Sequence, residues 1–160
     1  MTSRELVLAT LEGRNTSGRA PRDLWTLPWA HQNYPEMIKK ILADFEPDMS
    51  GPTVKFATPS PVESGDPYEP GEYIDPWGCV FTNIHRGVIG EVKKPLVTDD
   101  DLEDVDKVHI PEEQLTFDVD LVNESCRNSD KFMSCGACPR PFEQLQFIRG
   151  TVNLYMDLMD

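Results

Sequence analysis

The sequence predicts an α/β fold, on three observations. Helical segments with readable caps open the chain, recur in its first third and close it. Between them lie short runs of β-branched and aromatic residues, the length of strands rather than helices. Glycine and proline separate the two kinds of segment, with 10 Gly and 14 Pro in 160 residues.

Thr2 with Glu5 three residues on is a capping box, and Leu6, Val7, Leu8, Ala9 and Leu11 follow at mostly helical spacing. Gly13 is the stop. Residues 14–22 are polar, carry Gly18 and Pro21, and read as a loop. Residues 24–30 are apolar and aromatic and read as a short strand. Pro35 opens a helix with Met37, Ile38, Ile41, Leu42 and Phe45 on one side, and Pro47 follows its end. Residues 53–58 read as a strand. Residues 59–76 are dense in Pro, Gly, Ser, Asp and Glu and read as an irregular surface loop.

Asp75, Pro76, Trp77 and Gly78 make a turn sequence. Cys79, Val80 and Phe81 form one apolar run, and Val88, Ile89 and Val92 a second. The runs are too close for a crossover helix, so residues 79–92 are expected to pair as an antiparallel hairpin. Thr98 with Asp101 signals a helix start, and Asp99, Asp100 and Asp101 suit its positive end. The acidic run 99–106 reads as a solvated helix face. Residues 111–127 read as one helix with Leu115, Val119 and Val122 on a stripe, while alternation of Phe117, Val119 and Leu121 leaves a strand open. Residues 131–135 read as a short buried strand. Pro141 opens a helix running to Arg149, Gly150 breaks it, and Thr151 restarts it with Val152, Tyr155, Met156 and Met159 as its apolar face.

Asp and Glu number 28 against 15 Lys and Arg, for a net charge of −13. That balance argues against nucleic acid and against an anionic membrane surface as partners. No stretch approaches the roughly 20 apolar residues of a spanning helix, and the start lacks the apolar core of a signal peptide. The expected location is the cytoplasm, with the four cysteines (79, 126, 135 and 138) reduced.

Two groups of residues carry candidate chemistry. Cys135 and Cys138 form a C-x-x-C, which reads either as plain loop cysteines or as a metal-binding or redox module. Zinc would need two more ligands, for which Cys79, Cys126, His85 and His109 are scattered candidates. Trp25, Trp29, His31 and Tyr34 cluster in sequence and read either as a stacking surface for a flat ligand or as ordinary core packing. Asp75 and Trp77 read as fixing the turn rather than touching a ligand, and Glu143 and Arg149 as solvent contacts or one buried ion pair.

The order D-x-W-G-C-V-F from Asp75, G-x-x-G-E-V-K-x-P-L from Gly87 and D-D-L-E-D-V from Asp100 resembles the front part of the uroporphyrinogen decarboxylase family. It is most similar to the broad branch that also holds corrinoid-linked methyltransferases. The opening helix, the approach to the barrel around residues 19–25, and the F-E-x-x-x-x-x-R-G stretch ending at Gly150 agree with it. The resemblance spans nearly the whole chain.

It implies a (β/α)8 barrel, and such barrels typically need about 250 residues. The expectation is therefore one partial domain over residues 1–160, the N-terminal portion of an incomplete barrel with an inserted β-hairpin. The implied chemistry is decarboxylation of a tetrapyrrole carboxylate in porphyrin biosynthesis, without a cofactor, or methyl transfer using zinc and a corrinoid protein. The small-molecule substrate would be a tetrapyrrole or a methyl donor, and Trp25, Trp29, His31 and Tyr34 the residues that bind it. The family's decarboxylases carry an arginine in the stretch matching residues 24–34, and this chain has none there. The methyltransferase zinc ligands lie in a later part of the barrel, and no H-x-C pair exists in this chain. The resemblance further implies no turnover by the chain alone, and self-association through an open barrel edge. A non-catalytic domain that binds a partner through that edge is the remaining reading.

Overall fold

In the computed structural model, which describes residues 1–135 and 140–159, the chain is mixed α/β. In order it forms α1 (Ser3–Leu11), α2 (Pro28–Asn33), α3 (Pro35–Asp44), β1 (Met49–Ser50), β2 (Gly71–Ile74), β3 (Val80–Asn83), β4 (Glu91–Val92), α4 (Val119–Arg127), β5 (Phe132–Met133), α5 (Pro141–Arg149) and α6 (Thr151–Asp157). Short 3-10 turns lie at Asp99–Asp101, Val105–Lys107 and Glu112–Leu115. Neither of the two small sheets is closed. The chain divides into two compact units, one of Met1–Ala57 with Phe117–Cys138, the other of Thr58–Thr116 with Pro139–Asp160.

The first unit is built on a parallel pair. Met49 lies opposite Phe132 and Ser50 opposite Met133. The Phe132 amide donates to the Asp48 carbonyl at 3.0 Å and the Ser134 amide to the Ser50 carbonyl at 2.8 Å. Helix α1 lies against both strands and buries Leu6, Val7 and Ala9. Its capping box forms as read: the Thr2 side chain takes the Glu5 amide and the Glu5 carboxylate takes the Thr2 amide. Gly13, at φ 68°, supplies the left-handed residue past its end.

Three expectations fail here. Residues 24–30 form no strand: 24–27 are irregular and α2 begins at Pro28, whose fixed φ and missing amide suit a first helical position. Residues 53–58 form no strand and keep a single antiparallel bridge, Phe56 to Phe117; the residues that pair with β5 are Met49 and Ser50. Residues 111–127 are not one helix. The turn Glu112–Leu115 ends, and Asp118 caps α4 by accepting the Leu121 amide at 2.9 Å. An Asp cap outcompetes continuation through Thr116 and Phe117, both poor helix formers.

The second unit holds a three-stranded antiparallel meander, β2-β3-β4. The expected pairing forms, with Phe81 opposite Val92 and Thr82 opposite Glu91. A third strand joins it: Tyr73 pairs with Phe81 and Ile74 with Val80. Residues 71–74 therefore belong to the sheet rather than the loop, recruited by the turn that follows them. That turn is fixed by Asp75, whose Oδ1 accepts the Trp77 amide at 3.0 Å and the Cys79 amide at 2.7 Å. Gly78 takes φ 89°. The core gathers Tyr73, Cys79, Phe81 and Ile148, with Trp77, Val92, Leu96, Val97, Val108 and Phe147 around it. The Phe81 and Phe147 rings meet edge to face at 5.0 Å. Gly150, at φ 84°, separates α5 from α6 as read. The apolar face of α6 is largely uncovered: Val152, Tyr155, Met156 and Met159 are exposed, Tyr155 meets the Phe142 ring edge to face at 5.9 Å, and Leu154 is the buried residue.

Candidate functional site

The four aromatic and histidine residues singled out in the sequence all lie on the surface of the first unit, and the structure brings Trp29 and Tyr34 into contact. Trp25 is 82 % exposed, Trp29 and Tyr34 are about half exposed, and His31 is exposed. Trp29 and Tyr34 meet edge to face at 5.6 Å, one on α2 and the other between α2 and α3. His31 Nε2 lies 2.8 Å from the Thr26 hydroxyl, closing the turn into α2. The core-packing reading of this cluster therefore fails: no apolar neighbour covers Trp25.

What steadies the approach to this segment is a buried carboxylate. Asp48 is 1 % exposed. Its Oδ1 accepts from the Ser3 hydroxyl at 2.7 Å and Arg19 Nη2 at 2.8 Å, and its Oδ2 from Arg19 Nη1 at 2.6 Å and the Arg22 amide at 2.8 Å. The Asp48 amide returns a bond to the Arg22 carbonyl at 2.8 Å. The Arg19 guanidinium, with Ser3 and the Arg22 amide, holds the Asp48 carboxyl well below the usual carboxylate range despite its burial. The Arg22 guanidinium lies 5.2 Å from the centre of the Phe45 ring, at the end of α3. The loop before Trp25 is thus tied to α1, to β1 and to α3.

The chemistry available here is recognition. Indole and phenol faces stack on flat ligands, and Arg22 is a cation beside the segment. The one hydroxyl–imidazole contact of this segment, Thr26 with His31 at 2.8 Å, is exposed and closes the turn into α2. Asp48 and Arg19 are positioning residues. Sequence reasoning missed both, because their pairing spans 29 positions and no local pattern marks it.

Asp75 does fix its turn, and it also meets a second buried group. Gln144 Nε2 lies 3.3 Å from Asp75 Oδ2 and 3.7 Å from Cys79 Sγ. Burial first, then the Asp75 carboxylate, pushes the Cys79 thiol up to about 12. Tyr73 donates to Glu63 at 2.8 Å, and burial raises its phenol. Tyr73, Asp75 and Cys79 are buried, Gln144 is half-buried and Glu63 exposed, and the cluster serves the fold of the second unit. The Arg149 guanidinium is buried and pairs with two exposed carboxylates, Asp99 and Asp157, rather than forming one buried ion pair; Glu143 pairs with Arg140. Within the acidic run 99–106, Asp101 pairs with Lys107.

Cys135 is exposed and free, while Cys138 lies outside the described residues. Among the described residues no three His, Cys, Asp or Glu side chains come together as metal ligands. Among them too, no helix is long and apolar enough to cross a membrane. Compared with models of known protein families, with curated proteins and with solved structures, the chain matches none.

Proposed function

We propose that this chain is a uroporphyrinogen decarboxylase-like protein that forms the opening part of a (β/α)8 barrel and binds a flat tetrapyrrole carboxylate against residues 24–34. The observation that carries the reading is the exposed aromatic set of Trp25, Trp29 and Tyr34 on an anchored segment. Large aromatic surface left in water on a fixed backbone is what a stacking site requires before its ligand arrives. The parallel pairing of β1 with β5, backed by α1, supports the barrel part of the reading. A barrel site draws on strands from all round its ring, so binding rather than turnover is the property to assay.

The probe is uroporphyrin, the coloured oxidised form of the substrate. Titration should quench tryptophan fluorescence saturably, and Trp25→Ala with Trp29→Ala should remove most of the quench. Trp77, partly buried in the second unit, supplies the residual signal. No saturable quench would refute the tetrapyrrole reading.

The absence of arginine from residues 24–34 favours a second reading, methyl transfer linked to a corrinoid protein. Saturable binding of methylcobalamin without binding of uroporphyrin would select it. The described residues do not fit the zinc of that chemistry, since no cluster of His and Cys is assembled among them, and no step is derived through it.

A further inference from the structure

A second cleft in the first unit lies away from the aromatic segment, between α1, α4 and β5. It is an open depression of about 460 Å³, lined by Arg4, Leu8, Asn123, Cys126, Arg127, Phe132 and Met133. Its lining combines apolar side chains with two arginines, and it includes no carboxylate residue. That is unusual for a chain of net charge −13, in which acids outnumber bases almost two to one.

Arg4 is fixed in place by backbone oxygens. Its Nη2 donates to the Cys126 carbonyl at 2.9 Å and the Ser129 carbonyl at 2.6 Å, and its Nε to the Lys131 carbonyl at 3.2 Å. These neutral acceptors leave its charge without a carboxylate partner. Arg127, at the last turn of α4, is exposed and makes no ion pair among the described residues. Leu8 is exposed on α1, and Phe132 and Met133 are half-buried. A cation pair beside an uncovered apolar wall complements one ligand chemistry: a carboxylate head on an apolar body. A neutral apolar molecule would leave the charges unmatched, and an amphipathic cation would meet repulsion.

We propose that this cleft binds a small amphipathic carboxylate, its acid on Arg4 and Arg127 and its apolar body against Leu8, Phe132 and Met133. The site is independent of residues 24–34.

Cys126 lines the cleft and reports on it directly, while Cys135 is an exposed thiol outside the lining and serves as the internal control. The full chain is treated with iodoacetamide with and without decanoate below its micellar concentration, and the labelled peptides are quantified by mass spectrometry. Decanoate should slow labelling of Cys126 saturably and leave Cys135 unchanged. Decanol and decyltrimethylammonium should protect far less at the same concentration, and acetate should not protect at all. Arg127→Gln, which disturbs no bond of the fold, should raise the half-protecting decanoate concentration about tenfold, as expected for one charge-assisted hydrogen bond. Equal protection by decanol, or an unchanged half-point in Arg127→Gln, would overturn the anionic assignment. No selective protection of Cys126 would overturn the site itself.

Discussion

Replacing Asp48 with alanine tests whether the loop before Trp25 is held by that carboxylate. The side chain is buried and accepts four hydrogen bonds. Two of them, from the Ser3 hydroxyl and the Arg22 amide, leave donors with no replacement acceptor in the fold, at about 1 kcal/mol each. The Arg19 arm is partly in solvent and its guanidinium rehydrates, so it adds nothing to the sum. The loss is thus about 2 kcal/mol, a drop in melting temperature of roughly 4–8 °C for a chain of this size. Circular dichroism melts at pH 7 measure it. The pH dependence adds a signature. Unfolded, the carboxyl titrates near the ordinary Asp value of about 3.9; folded, it titrates well below that. Below about pH 4 the unfolded chain therefore binds a proton that the folded chain does not, and stability falls with acid. The contribution is fully present above that pH and is lost as pH falls through the folded value. The difference in melting temperature between wild type and Asp48→Ala should shrink on acidification. Melts at pH 7 that agree within about a degree would refute the anchor, since 2 kcal/mol predicts several.

Three further outcomes follow from particular contacts. Cys79, buried and with its thiol pushed up to about 12, should resist iodoacetamide at pH 8 in the folded protein and react once unfolded, while exposed Cys135 reacts at once. Gly90→Ala places a methyl group into the Thr82 carbonyl and the Asn83 side chain, so it should destabilise the meander by at least the roughly 1–3 kcal/mol of overpacking, read from urea midpoints. Arg149→Met removes the bonds to Asp99, Asp157 and the Val97 carbonyl, and amide exchange should quicken across residues 97–101 while the α1 amides stay as protected as before.

Elements with a local cause were legible in the sequence. Thr2 with Glu5, Pro35, Pro141 and Gly150 each act within one turn of chain, and each sits where its chemistry predicts. The β3–β4 pairing was legible because its runs are close in sequence. The strands β1 and β2 were not. The first has two residues, and its partner Phe132 lies far along the chain; the second sits at the end of a stretch whose Pro, Gly and acid content reads as loop. The aromatic segment was legible as a group of residue types. Its exposure was not, because exposure depends on which other elements fail to cover it.

The buried polar residues explain how such short elements hold their loops. The first unit buries Leu6, Val7, Ala9 and Ile38, and the second Tyr73, Cys79, Phe81, Ile148 and Leu154. These are small cores, and apolar burial is non-directional, so it cannot by itself fix a loop's path. Asp48, Asp75, Asn83 and Arg149 supply direction. Asp48 takes the Arg22 amide, and Asp75 takes those of Trp77 and Cys79. Asn83 donates to the carbonyls of Asp66, Pro67 and Glu69 and accepts the Gly90 amide at 2.6 Å. Arg149 reaches across to Asp99 and Asp157. Among the described residues no buried side-chain nitrogen or oxygen lacks a partner. An apolar residue of equal volume at these positions would strand backbone groups that have no other partner, so close packing would not compensate for the loss. The segment bearing Trp25 inherits its position from such a pin: Asp48 holds Arg22, and Arg22 leads into the aromatic residues.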